Sequence, residues 1–222
     1  MRCKIIFLVF NMRKIITIQH TQSEQHINKM IGSLGIWELT KLGIKQAHQI
    51  GKNLAAEYRN EKFIMYSSDL PRAKQTAEIV SDYFGLIPIF TKALREFDLG
   101  QANGKSKEWA NNNLCCPVWA GTVDWAKSIY DKPFVGAESK VDVWNRLSHF
   151  LNDIVMSTDK NIIIVSHDGT LSMLYALWIG MDVEMLNNCY LSGKSGGVSI
   201  LLEDADGKRI ISKLNDMSYL LF

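Results

Sequence analysis

The sequence predicts an α/β fold: a single-domain open sheet, mostly parallel, with helices on both faces and a helical insertion. Two observations carry this. Lys14-Ile15-Ile16-Thr17-Ile18 and Asn161-Ile162-Ile163-Ile164-Val165-Ser166 are short runs rich in β-branched residues, the pattern of strands buried on both faces of a parallel sheet. Around them, extended and helical patterns alternate along a chain of 222 residues with 47% apolar content. That length suits one large domain with a sizeable core.

The elements follow in chain order. Met1-Arg2-Cys3-Lys4 and the apolar Ile5 to Phe10 imitate a signal peptide, but the apolar run spans only six residues and no small-x-small cleavage site follows. Residues 1–11 are therefore read as an extra amino-terminal segment, with Met12 the expected working start and the domain as 12–222. Thr40 is placed to cap a helix whose inward face is Ala47, Ile50, Leu54 and Tyr58, a spacing of three and four. Lys62 to Ser67 reads as a strand. Asp69 is the expected cap of a helix with Pro71 in its first turn and Ala73, Ala77, Val80 and Phe84 inward. Ile87-Pro88-Ile89-Phe90 reads as a short strand near an edge, because proline gives a ladder no N–H. Residues 101–137, with Trp109, Trp119 and Trp125, are the helical insertion. Glu138 to Met156 and Leu171 to Ile179 are the remaining helices. Val198 to Leu202 and Lys208 to Leu214 flank Asp204-Ala205-Asp206-Gly207 as a hairpin.

Composition narrows the function classes. A net charge of +2 gives no reason to expect nucleic acid or an anionic membrane as a partner, and no stretch approaches a membrane span. The four cysteines, Cys3, Cys115, Cys116 and Cys189, form no C-x-x-C pair. A reducing cytoplasm is the expected location. Ligand spacing gives no support for zinc. Gly104-Lys105-Ser106 and Gly193-Lys194-Ser195 echo a P-loop ending, but Leu99 and Asn188 stand where its first glycine belongs. Ser67 and Ser68 lack the glycine-flanked elbow of a serine hydrolase.

Four positions carry chemistry. His20 ends the first apolar run and His167 the second, and ligands bind at the carboxyl ends of parallel strands, so the two histidines are read as one site. Asp168-Gly169-Thr170 after His167 leads into a helix, whose free N–H groups would suit an anion. Arg72 lies in the first turn of the helix behind Asp69, against the helix dipole, where a bound anion would compensate; pairing with Asp69 or Glu78 is the structural alternative. Glu96 follows Leu94-Arg95 and could equally be a solvated charge. Together these residues suit phosphoryl handling without a metal: a nucleophile, cationic donors, and an acid for the leaving group.

The motifs then become specific. Gln19-His20-Thr21-Gln22-Ser23-Glu24 is similar to the Arg-His-Gly-(Glu/Gln)-(Thr/Ser) signature of the histidine phosphatase superfamily. Ser67-Ser68-Asp69-Leu70-Pro71-Arg72-Ala73-Lys74-Gln75-Thr76-Ala77 is close to its Ser-Ser-Asp-Leu-x-Arg-Ala-x-Gln-Thr-Ala block. Leu39-Thr40 with Gly43 and Gln46-Ala47, then Leu94-Arg95-Glu96 to Gly100, Gly136-Ala137-Glu138-Ser139 and Val165-Ser166-His167-Asp168-Gly169-Thr170 follow in the family's order. The chain resembles the phosphoglycerate mutase-like branch of that superfamily over roughly residues 12–202. The resemblance implies a phosphohistidine mechanism with His20 as nucleophile, Arg72 and His167 holding phosphoryl oxygens, Glu96 as acid and then base, and no metal or cofactor.

Four departures accompany it. Gln19 replaces the signature arginine, losing its charge and its two-pronged fork. Thr21 replaces a glycine, His26 falls where many members have asparagine, and Asp168 stands where glycine is common. With Ser23, these are the expected substrate-binding residues. A phosphomonoester hydrolase weakened by Gln19 is the first expectation. A phosphoglycerate mutase-like phosphotransferase and a catalytically impaired phospho-ligand-binding protein are the alternatives. The expected partners are a small phosphorylated substrate and at most a second copy of the chain, as a homodimer.

Overall fold

The computed structural model describes residues 12–115 and 126–221. Its centre is a six-stranded sheet in the order β3-β2-β4-β1-β5-β6. The two β-branched runs form neighbouring central strands, β1 (Arg13–Gln19) and β4 (Asn161–Ser166), paired in parallel with Gln19 opposite Ser166. β2 (Phe63–Ser68) runs parallel to the other side of β4, with Ser67 opposite Val165. β3 (Ile89–Thr91) pairs only with β2, so the expected edge strand is at an edge, and Pro88 lies just outside it. β5 (Val198–Glu203) and β6 (Arg209–Asp216) form the hairpin and run antiparallel. This register brings His20, Ser68 and His167 to one edge of three parallel strands.

Alternation along the central strands explains the two covering layers. Ile16, Ile18, Ile163 and Val165 pack with Ile50 and Leu54 of α2 (Lys41–Glu57) and Ala73, Ala77 and Val80 of α3 (Pro71–Phe84). Ile15, Ile162 and Ile164 face the other way, against Val143 and Leu147 of α5 (Lys140–Phe150) and Leu171 and Leu174 of α6 (Asp168–Trp178). Two short helices, α1 (Glu24–Asn28) and α4 (Lys107–Asn112), lie outside this sandwich. Ile31, Leu99, Ala102, Ala110, Phe134 and Ala137 form a separate cluster that seats α4 and the described part of the insertion. Trp109 stacks obliquely on Phe134 there; Trp119 and Trp125 lie outside the described residues, as do residues 1–11.

Three boundaries differ from expectation. Asp69 does not cap α3; Leu70 holds that position, because both Asp69 oxygens are engaged by the Arg95 fork at 2.6 and 2.7 Å. The helix expected over 138–156 starts at Lys140 behind a Ser139–Asp142 capping box and ends in a π turn, Leu151–Val155. The helix after β4 begins at Asp168, three residues before the expected Leu171, with His167 as its N-cap.

Replacing Ile163, fully buried at the centre of the sheet, by alanine should lower stability by about 2–5 kcal/mol. Ile89→Ala, on the edge strand at 48% exposure, should change it by about 0.5 kcal/mol or less. Urea midpoints for both variants check this, and equal losses would contradict the layering.

Candidate active site

The carboxyl ends of β1, β2 and β4 and the loops beyond them collect the chemistry-bearing residues. His20 is fixed by its backbone: its N–H donates to Ser166 O at 2.9 Å, and its carbonyl accepts from Gly196 N and Ser195 Oγ. Nδ1 of its ring lies 2.9 Å from Thr21 O. A carbonyl only accepts, so Nδ1 carries the proton and Nε2 is unprotonated, with its lone pair available as an acceptor. That Nε2 accepts the Nε–H of Arg72 at 3.1 Å. Burial, reinforced by Arg72 and His26, pulls the His20 pKa well below its ordinary value, so the ring is neutral at physiological pH.

Arg72 is 1% exposed. The carboxylates considered as its partners are engaged elsewhere, Asp69 with Arg95 and Glu78 with Lys74. Its other donor contacts go to the carbonyls of Ser33 (2.7 Å) and Gly35 (3.1 Å). Two of the five guanidinium N–H groups remain for a ligand. Burial lowers its pKa to about 10, still well above neutral, so the group stays cationic. Ser33 adopts a positive φ of 31°, and its hydroxyl bridges the Phe97 carbonyl and the Leu99 N–H. The Gly32–Gly35 turn thereby becomes a wall behind Arg72. Sequence reasoning missed Ser33 and Gly35; the Gly-Ser-Leu-Gly turn was the available signal.

His167 is completely buried, with its ring edge-on to His20 at 5.1 Å between centroids. Its Nε2 lies 2.8 Å from Ser68 Oγ, while Nδ1 has no partner among the described residues. Burial, with Arg72 and His20 adding to it, depresses this imidazole too.

Glu96 occupies the place expected for a bound anion. Its carboxylate accepts from the α6 backbone N–H groups of Gly169 (3.2 Å) and Thr170 (3.1 Å) and from Phe97 N (3.0 Å), while the Thr170 hydroxyl, 3.3 Å from Oε1, donates to the Arg95 carbonyl at 2.7 Å. Gly169 is required here, since a Cβ would come within 2.8 Å of Glu96 Oε1. Three of the contacts fall on Oε1, leaving Oε2 with Gly169 alone. Oε2 is therefore the oxygen able to carry a proton. Burial raises the Glu96 pKa, opposed by the Phe97 N–H and Arg72.

The five expected substrate-binding residues divide. Gln19 is buried at the end of β1, its amide oxygen against Gly193. Thr21 turns its hydroxyl into the fold, donating to Gly43 O at 2.8 Å. The Ser23 N–H donates to His26 Nδ1 at 3.0 Å, with the Ser23 hydroxyl 3.3 Å from the same nitrogen. His26 thus carries its proton on Nε2, and its ring stacks on His20 at 5.5 Å. The Asp168 carboxylate is held by Gly193 N (2.6 Å), Ser192 Oγ (2.9 Å) and the Tyr190 hydroxyl. What converges is a neutral imidazole whose unprotonated Nε2 faces a buried cation, a second imidazole with a nitrogen unpartnered among the described residues, and a carboxyl with raised pKa. That set can bind an oxyanion, attack it, and protonate a leaving group.

Comparison with known proteins agrees with this chemistry. A family model described as the histidine phosphatase superfamily (branch 1) matches residues 15–216. The chain is 30% identical over 181 residues to a Hydrogenobacter thermophilus protein named "Putative phosphoserine phosphatase 2", covering 81% of this chain and 85% of that one. It is 29% identical over 183 residues to a 2,3-bisphosphoglycerate-dependent phosphoglycerate mutase of Methylorubrum extorquens, covering 78% of this chain and 82% of the mutase. The solved structure of a mycobacterial glucosyl-3-phosphoglycerate phosphatase complexed with VO3 shares the fold, with a TM-score of 0.77 at 22% identity over 91% of this chain and 99% of that one. The chain belongs to the histidine phosphatase superfamily, branch 1.

Proposed function

We propose that this protein hydrolyses a phosphomonoester through a covalent phosphohistidine on His20. The observation that carries the reading is the His20 Nδ1–Thr21 O contact, which leaves Nε2 unprotonated beside a buried Arg72 with no carboxylate in salt-bridge contact among the described residues. In the first step the Nε2 lone pair forms the N–P bond as the bond from phosphorus to the leaving oxygen breaks, and Glu96 gives that oxygen its proton. In the second, Glu96 takes a proton from water, the water oxygen bonds phosphorus, and the P–N electron pair returns to Nε2. Arg72, His167 and the Nε2–H of His26 would hold the phosphoryl oxygens, with Gln19 an uncharged donor where the signature has arginine. Protein groups meet the phosphoryl charge, so the reading is one of metal-independent turnover without a cofactor. The exposed free thiols of Cys115 and Cys189 fit a reducing cytoplasm.

The leaving group is read as anionic. Paired backbone lays the strip bearing Lys29, Lys105 and Lys107 side by side, with Lys107 N donating to Lys29 O and Ile31 N to Lys105 O, and the Lys105 ammonium lies over Trp109. The Lys107 charge is felt at His26, where it adds to the depression of the ring's pKa by burial and Arg72. Phosphoserine and the phosphoglycerates in the relatives' names each carry a carboxylate that such a strip would attract. The same strip favours a phosphoglycerate mutase-like phosphotransferase as second reading. Dependence of turnover on a bisphosphate primer separates the two.

His20→Ala should abolish turnover of an aryl phosphate while leaving the fold intact. Residual kcat/KM within about tenfold of the parent would remove the nucleophile, since losing a covalent route costs far more.

Glu96→Gln should reduce hydrolysis of an alkyl phosphate more than that of an activated aryl phosphate, which needs little help from an acid. The raised Glu96 pKa keeps the acid form into higher pH, and the depressed His20 pKa keeps the nucleophile neutral into lower pH. Activity should therefore persist in mild acid and fall on an alkaline limb that Glu96→Gln removes. Equal losses on both substrates with the limb unchanged would exclude Glu96 as the acid.

Gln19→Arg should raise kcat/KM by about 100-fold, the usual worth of an oxyanion donor, and mainly in kcat if the contact strengthens in the transition state. Inorganic phosphate should bind the variant more tightly, with the gain reduced by added salt. If the lost arginine is irrelevant, neither turnover nor phosphate affinity will change.

A further inference from the structure

Ser68 lies in the same sequence block as Arg72, four residues before it. It is completely buried at the end of β2. Its Oγ accepts the Leu70 N–H at 3.2 Å and lies 2.8 Å from His167 Nε2. The second contact has two proton arrangements. If His167 donates from Nε2, the Ser68 hydroxyl proton has no acceptor and the buried Nδ1 keeps an unsatisfied lone pair. If Ser68 donates to Nε2, Oγ both accepts from Leu70 and donates to His167, and the one unmet group is an Nδ1–H. Unmet buried polar groups are penalised, so the second arrangement is favoured. Its single unmet donor is also one that a phosphoryl oxygen could satisfy, on a ring edge-on to the nucleophile at 5.1 Å.

We infer that Ser68 is a positioning residue: its hydroxyl donates to His167 Nε2 and so fixes the tautomer in which His167 presents Nδ1–H to the phosphoryl group. With the opposite tautomer, a lone pair would face an anionic oxygen and oppose binding. The second histidine thus acts as a neutral hydrogen-bond donor, and it does so only while Ser68 holds its other nitrogen. This rests on the phosphoryl-transfer reading of the site, but the tautomer can be measured without turnover.

The test is nitrogen-15 NMR of the imidazoles, assigned with His167→Gln, in the parent, Ser68→Ala, Ser68→Thr and Ser67→Ala proteins, alongside aryl-phosphate kinetics. Ser67 serves as control because it is equally buried and its hydroxyl bonds only the Ser68 carbonyl. In the parent the His167 proton should sit on Nδ1, and its resonance should shift when inorganic phosphate or vanadate is added. Ser68→Ala should move the proton to Nε2 and lower kcat by about tenfold, a fraction of the worth of a whole donor. Ser68→Thr should restore both properties, and Ser67→Ala should leave the tautomer alone. A parent proton on Nε2, a tautomer unchanged in Ser68→Ala, or a flipped tautomer with unchanged kcat would each overturn the assignment. Should Ser68→Ala fail to fold, the parent spectrum and Ser68→Thr still decide it. A parent inactive on every phosphomonoester, yet with the proton on Nδ1, would refute the hydrolase reading and leave the Ser68–His167 bond standing.

Discussion

Arg72 carries a full positive charge at 1% exposure, and the carboxylates nearest to it in sequence face other cations. Removing an unpaired cation from water costs on the order of several kcal/mol. Two carbonyls and one imidazole lone pair offset part of this, and none of them neutralises the charge. The positive potential that remains, added to burial, holds both His20 and His167 below their ordinary pKa. Burial makes the nucleophile and the second histidine neutral, and the charge that attracts the anion reinforces it. Glu96 is the carboxylate that could have quenched it. It is bound instead to the amino terminus of α6, whose N–H groups and dipole hold its oxygens. The helix end holds the acid out of a direct ion pair with Arg72, though each group still feels the other's charge.

Parts of this were legible in the sequence because they depend on local pattern. β1 and β4 were readable from their β-branched runs, and two parallel neighbours of matched length had to bring His20 and His167 to one edge. The caps were harder. Asp69 has the residue type and spacing of an N-cap, yet Arg95, 26 positions away, offers a bidentate fork that a single backbone N–H cannot match. The start of α6 was hidden for a related reason. Asp-Gly-Thr reads as a turn, and the partner that satisfies its N–H groups is Glu96, more than 70 positions back in the chain. Side-chain direction was not legible at all. Thr21 could have faced the phosphate, and only the position of the Gly43 carbonyl turns it inward.

On the proposed reading, the departures from the resembled signature act together at the site. Relative to that signature, Gln19 removes one positive charge and Asp168 adds one negative charge on the same rim. Asp168 is kept off the nucleophile by the Gly193 N–H and the Ser192 hydroxyl, so its effect there is through space. Its negative charge is one of the influences that raise the Glu96 pKa. On that reading, a pocket with less cationic pull on phosphate also has a leaving-group acid whose pKa is raised by burial first and by Asp168 in addition. The first effect, on the same reading, weakens the hold on the phosphoryl oxygens, above all in the transition state. The second favours substrates whose leaving oxygen is a poor one and needs the proton, as aliphatic hydroxyls do. On the proposed reading, Gln19 and Asp168 shift the enzyme from tight phosphate capture toward alkyl esters, and Lys107, whose charge reaches His26, supplies attraction for the substrate's second charge.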